Sequence, residues 1–152
     1  MTTSFDPELF VQSTVEEALS TTRVPVPEGE VRAVVKDLKG RETQNGSPIL
    51  DVYWAIDDQT VRDVTGLDEP IVRQSLFLDL TPNGNLDMAK GKNVDLGRLR
   101  AALGQNEAGK PWSPNMMIGK VAKVMVSQRL GEPRNPGDEA PVYNDVRGVS
   151  PL

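Results

Sequence analysis

The chain contains neither His nor Cys, so its chemistry has to come from carboxylates, lysine, arginine and aromatic rings. This excludes a histidine general base, a cysteine nucleophile, disulfides and thiolate metal sites. The acids whose spacing could hold a divalent cation are Asp57, Asp58 and Asp63, and Asp79 with Asp87. Acids in polar loops are more often only solvated, and the chain has no Gly-x-x-x-x-Gly-Lys-Ser/Thr phosphate loop. We therefore expect a non-catalytic protein that uses no metal or other cofactor.

Several aromatic residues lie in stretches where apolar and polar residues alternate. Trp54 shares a face with the apolar residues of its own stretch and is expected in the core. Tyr53 and Phe77 fall on the opposite faces, and Arg73 lies on the same face as Phe77. Exposed rings stack on the bases of single-stranded nucleic acid, each stacked base contributing about 1–3 kcal/mol. The pattern predicts a base-stacking platform, unless Phe77 is covered by another part of the chain; Tyr143 could stack or pack.

The charge along the chain is uneven, although 17 Lys and Arg against 22 Asp and Glu give a net charge of −5. Between Asp87 and Arg129 eight basic residues meet three acidic ones, so this stretch carries +5 and the remainder −10. A basic surface on an acidic body could follow a phosphate backbone, or it could be an ordinary solvated face. The cations expected beside phosphates, together with Arg73, are Lys36, Arg41, Lys90, Lys92, Lys123 and Arg129.

Five stretches have the two-residue period of a β-strand with one buried face. They span residues 29–36, 49–57, 71–80, 121–129 and 142–149. Leucines at helical spacing follow Asn93, a good N-cap, and stop before Gly104, which predicts one helix between the third and fourth strands. The polar stretch Lys39–Pro48 is typical of a flexible loop, and the acidic stretch 58–70 has room for one helical turn.

This order of elements predicts a mainly β fold, a five-stranded OB-fold-like antiparallel barrel over residues 28–152. An open α+β sheet is the main alternative, because periodicity does not fix strand pairing. Residues 1–27 are expected to form an N-terminal arm, with a short helix after Asp6 and a proline-rich strap at residues 25–27. The arm could fold back on its own domain, or it could mediate self-association. No apolar stretch is long enough for a membrane, and no secretory signal begins the chain, so no membrane partner is expected.

Several segments of the domain are similar, in order and spacing, to those of a known group of proteins. They are Pro25–Glu30, Gly91–Asn93 before Leu96–Arg100, Gly119–Val124 and Tyr143–Val149. In these segments the chain resembles small proteins of tailed bacteriophages that are related to phage OB-fold single-stranded DNA-binding proteins. The resemblance covers residue 25 to the end of the chain.

The resemblance implies largely sequence-independent binding of single-stranded DNA in phage replication or recombination, within the host cytoplasm. The printed chain ends in Gly148–Leu152 with no acidic run before it. Partner recruitment through an acidic tail, which many single-stranded DNA-binding proteins use, is therefore not expected. A related protein that kept the barrel but took a structural role in the virion would have a similar sequence. The alternative is thus a phage structural or assembly protein that makes protein contacts through its arm.

Overall fold

A computed structural model describes residues 4–152, and the chain is built mainly from β-strands. The strands are β1 (Gly29–Glu42), β2 (Pro48–Ile56), β3 (Ile71–Phe77), β4 (Val121–Leu130) and β5 (Val142–Ser150). The short helices are α1 (Pro7–Val11), α2 (Gln59–Thr65), α3 (Val94–Ala102) and a 3-10 turn at Pro114–Met117. The mainly β class and a helix between the third and fourth strands are confirmed. None of the helices in this described range is long and apolar enough to cross a membrane.

The five strands form one antiparallel sheet in the order β3-β2-β1-β4-β5. The long strand β1 pairs with β4 through residues 29–34 and with β2 through residues 33–42. The edge strands β3 and β5 come close to each other, but no strand pairing joins them within residues 4–152. The predicted closure of the sheet into a barrel is therefore not found, and a gap separates the two edges.

The hydrophobic core lies on the inner face of this curved sheet, where alternate residues of every strand point. In β2 these residues are Leu50, Val52, Trp54 and Ile56, all buried. The indole N–H of Trp54 donates to the Gln74 side chain of β3 at 3.0 Å, so the buried ring leaves no donor unpaired. Leu96 and Leu99 of α3 complete the core. Burying a side chain of this size stabilises the fold by about 1.5–3 kcal/mol, which fixes the register of the strands.

β1 is longer than the predicted first strand, because residues 37–42 continue to pair with β2. The register shifts at Lys36, as in a β-bulge, and beyond it Leu38 is the residue that packs against the core. Lys39 and Arg41 lie on the outer face, so this part of the strand is polar. The expected loop Lys39–Pro48 is therefore wrong in its first half, and the connection is residues 43–47.

The connection from β3 to α3 is held by Asn93. β3 ends at Phe77 and not at Leu80 as predicted. The Asn93 side chain donates to the backbone carbonyls of Asp79 and Asp87 at 2.9 and 3.0 Å, and accepts from the Asp79 N–H at 2.8 Å. Asn93 stands at the N-cap position of α3, but with φ of 52° its side chain orders the loop and caps no helical N–H.

In the described part of the N-terminal arm, residues 4–27, the segment that packs on the domain is the last one. Asp6 caps α1 as expected, accepting from the N–H groups of Glu8 and Leu9, and the helix ends at Val11. The side chains of residues 4–21 are exposed, whereas Val26 is buried in the core. Residues 1–3 of the predicted arm lie outside the described residues.

Candidate nucleic-acid interface

Three rows of residues cross β1, β2 and β3 on the outer side of the sheet. In register they are Arg41–Ile49–Phe77, Lys39–Asp51–Ser75 and Asp37–Tyr53–Arg73. Residues opposite one another on neighbouring strands share a face, so the predicted residues Tyr53, Arg73, Phe77 and Arg41 are brought onto one surface. We call this surface, made of these three rows, the outer face.

The aromatic rings of the outer face are accessible to solvent. Phe77 is 66% exposed, so neither the arm nor a helix covers it. Tyr53 is half-buried between its row partners, and Trp54 is buried in the core as expected. Phe77 lies two rows from Tyr53, about 14 Å along the strands at ~3.4 Å per residue. At that separation the two rings would meet different bases of one extended strand.

A buried carboxylate lies between the two rings. Asp51 is 1% exposed and accepts from Arg41 Nε and from Ser75 Oγ, each at 2.6 Å. Burial raises the pKa of Asp51, but these hydrogen bonds and the charges of Arg41 and Arg73 outweigh it and hold the pKa below its ordinary value. The acid of the central row is therefore ionised and neutralised within the sheet, and it adds little repulsion to the surface.

The cations with no acid within ion-pair distance matter most for binding an anion. Within the described range this holds, on the outer face, for Arg73 and Lys39. Among the other predicted cations it holds for Lys90 and Lys92, in the loop that follows β3. All four are exposed. The exposed Asp37 carboxylate opposes them at one end of the face, where it accepts from the adjacent Leu38 N–H.

The other predicted cations are not brought to the outer face. Lys36 sits at the β-bulge and pairs with Glu69. Lys123 of β4 pairs with Glu30 of β1 at 3.6 Å, beside the other half of β1. Arg129 of β4 pairs with Asp145 of β5 at 3.0 Å.

The acids considered as metal ligands all have partners within the protein. Asp57 pairs with Arg32 and Arg62, Asp58 caps α2, and Asp63 accepts from Gln59. Asp79 accepts from the Asn93 N–H, and Asp87 accepts from the Ala89 N–H. Among residues 4–152 there is no group of three or more acids placed to hold a metal ion.

Sequence reasoning missed a second cationic region, at the gap between β3 and β5. We call it the β3–β5 cleft; its volume is about 560 Å³, and its walls are β3, β5, the end of β4 and α3. Its charged and aromatic lining includes Arg73, Arg98, Arg129, Tyr143 and Arg147. Lys39 was missed because its stretch was interpreted as a loop. Arg98 and Arg147 carry no signal in their own segments, since only strand order brings β3, β5 and α3 together.

Comparison of the chain with known protein families and with curated proteins finds no match. A function for the chain is therefore inferred from the geometry and charge of these two surfaces and from the sequence resemblance.

Proposed function

We propose that the protein binds single-stranded DNA with little sequence preference and without catalysis, through an OB-fold that is open between β3 and β5. The strand order and the helix between β3 and β4 support this fold assignment. In OB-folds the surface of the second and third strands is the usual site for oligonucleotides. The outer face occupies that position.

The observation that carries the proposal is the exposed Phe77 ring on a face that also holds Tyr53 and unpaired cations. A single exposed apolar side chain needs no explanation by itself. Here, however, Lys39 lies in the row between the two rings, and Arg73 lies beside Tyr53 in the same row. Rings for bases and cations for phosphates, alternating along a few nucleotides, are what sequence-tolerant binding requires.

The acidic charge of the rest of the molecule is consistent with a DNA-binding surface that is confined to one side. A net charge of −5 repels the phosphate backbone from most of the protein, whereas Arg73, Lys39, Lys90 and Lys92 attract it locally. The sequence resemblance further suggests a role in phage replication or recombination in the host cytoplasm. No other part of this proposal depends on that origin.

A titration of fluorescein-labelled oligo-dT at low salt, followed by anisotropy, tests the proposal. Phe77→Ala should weaken binding about ten-fold, since one stacked base contributes about 1–3 kcal/mol. Phe10→Ala is the matched control, because Phe10 is similarly exposed, at 62% against 66%, but lies in the arm. Equal affinities of the two variants, or no binding by the wild-type protein at micromolar concentration, would contradict the proposal.

A second candidate function is a phage structural or assembly role in the virion, with the arm as the contact to a second copy. The observation in its favour is the exposed apolar character of the arm, in which Leu9, Phe10, Val11, Val15 and Leu19 are each more than half exposed. Such a segment is stabilised by burial against a partner. Light scattering after size-exclusion chromatography should then show assembly for the full chain and a monomer after deletion of residues 1–19. A deletion variant that assembles normally would exclude this role.

A further inference from the structure

The two unpaired edges of the sheet face each other across the β3–β5 cleft. Within residues 4–152, β3 pairs only with β2 and β5 only with β4, so each edge presents backbone groups that no other strand of this range uses. Phosphate oxygens commonly accept from such N–H groups and from guanidinium groups. The cleft therefore combines a backbone surface with a set of arginine side chains, and both suit a polyanion.

Four arginines from four different elements line this cleft: Arg73 of β3, Arg98 of α3, Arg129 of β4 and Arg147 of β5. Two aspartates accompany them and pair with Arg98 and Arg129. The pair of Arg98 with Asp95 is 3.8 Å long and exposed to solvent on both sides, so it holds Arg98 only weakly. Within residues 4–152, Arg73 and Arg147 have no acid at ion-pair distance.

Tyr143 gives the cleft an aromatic ring of its own. Its side chain is about half exposed, and the guanidinium of Arg129 lies over the ring at 5.2 Å from the centroid. A Cβ built on Gly131 would overlap this ring, so glycine at position 131 allows the ring its place. A peptide strand added to these edges would need pockets for apolar side chains, whereas this lining is mainly cationic and polar.

Arg73 connects the cleft to the outer face, because it is the row partner of Tyr53 and also lines the cleft. We propose that single-stranded DNA leaving the outer face passes Arg73 and continues along the β3–β5 cleft. There Arg98 and Arg147 contact its phosphates and Tyr143 stacks on one further base. This inference rests on the proposed function and extends it, since it assigns a path to nucleotides beyond those on the outer face.

The test compares two lengths of labelled oligo-dT, of about 4 and about 16 nucleotides, the range of site sizes seen for one OB-fold. The double variant Arg98→Ala/Arg147→Ala should bind the short oligonucleotide like the wild-type protein. It should bind the long oligonucleotide several-fold more weakly. Its salt slope, the slope of log affinity against log salt concentration, should be shallower by about 1.4, since each phosphate contact on a single strand contributes about 0.7.

The matched control is Arg32→Ala/Lys110→Ala, which removes the same charge from exposed, ion-paired positions away from the cleft. It should keep the wild-type salt slope at both lengths, and Arg98→Lys/Arg147→Lys should retain most of that slope. A long oligonucleotide bound equally by the wild-type protein and the alanine variant overturns this inference alone. Failure of the wild-type protein to bind either length overturns the proposed function and this inference with it.

Discussion

Asp51 is the residue on which the outer face depends most, because its carboxylate joins three strands. It lies on β2 and accepts from Arg41 of β1 and from Ser75 of β3. A buried carboxylate without these donors would cost several kcal/mol, so the three residues form a unit. Removing Arg41 would therefore take away a surface cation and also leave Asp51 uncompensated. For this reason Arg73 and Lys39 are better positions than Arg41 for testing contacts with phosphate.

We predict that ionisation of Asp51 makes the free energy of unfolding depend on pH in the acidic range. The pKa of Asp51 is lowered in the folded protein, so its contribution is complete above the unfolded value of about 3.9 and is lost as the pH falls through the lower folded pKa. Asp51→Asn should cost about 1–3 kcal/mol in urea unfolding at neutral pH, through weaker hydrogen bonds to Arg41 and Ser75. It should also have a smaller loss of stability between neutral pH and pH ~3 than the wild-type protein.

Asp58→Asn is a suitable control for this prediction. Asp58 accepts one N–H bond as the N-cap of α2, and asparagine is an equally good cap. Its substitution should leave the stability at neutral pH close to that of the wild-type protein. If Asp51→Asn keeps the wild-type pH profile, then Asp51 is not the group that links stability to pH.

The proline-rich strap acts as an element of the domain, although it precedes the first strand. Val26 is buried; its N–H donates to the Asn144 side chain, and its carbonyl accepts from Asn144 and from Gln128, each at 2.9 Å. These bonds join the strap to β4 and β5 beside the β3–β5 cleft, which Asn144 also lines. The strap thus covers the core at one end of the gap.

We predict that the boundary of the folded unit lies near Thr22, whose hydroxyl donates to the Glu139 carboxylate at 3.1 Å, and not at residue 28. Asn144→Ala breaks the hydrogen bonds to Val26 and should lower the free energy of unfolding by about 1–3 kcal/mol. Deletion of residues 1–19 should change it by less than about 0.5 kcal/mol, since the side chains of residues 4–19 are exposed. Chemical denaturation of the monomeric proteins measures both values. A deletion as costly as the Asn144 substitution would place the whole arm within the folded unit.

The elements were predictable where one face of a segment is apolar, and not elsewhere. Alternation placed Trp54 in the core and Tyr53 outside, because β2 is buried on its inner face along its length. The same rule failed for residues 39–42, where β1 extends with polar residues on both faces and only pairing with β2 keeps the chain extended. Local sequence also could not show that Asn93 would order its loop, since that role depends on Asp79 and Asp87 arriving beside it.

At the scale of the whole molecule, the surface that can attract an anion depends more on which charges are paired than on how many charges there are. The stretch from Asp87 to Arg129 carries +5 in sequence, but two of its cations pair with acids of other segments, Lys123 with Glu30 and Arg129 with Asp145. Conversely, Arg73 and Lys39 lie outside that stretch and are unpaired within the described range. The surface that can attract an anion therefore follows the strand order and not the charge gradient along the chain.

The number of cations proposed to contact DNA predicts how steeply the proposed binding depends on salt. These cations are Arg73, Lys39, Lys90, Lys92, Arg98 and Arg147, and each phosphate contact on a single strand adds about 0.7 to the slope of log affinity against log salt. We expect a slope of about −4 for a long oligonucleotide, measured by anisotropy between low and physiological salt. Asp37→Asn should raise affinity at low salt, because it removes an exposed acid from the Tyr53–Arg73 row, and screening should diminish that gain at physiological salt. A slope near zero would mean that the bound DNA does not contact these cations, and a slope twice as steep would mean that paired arginines such as Arg129 exchange their aspartates for phosphate.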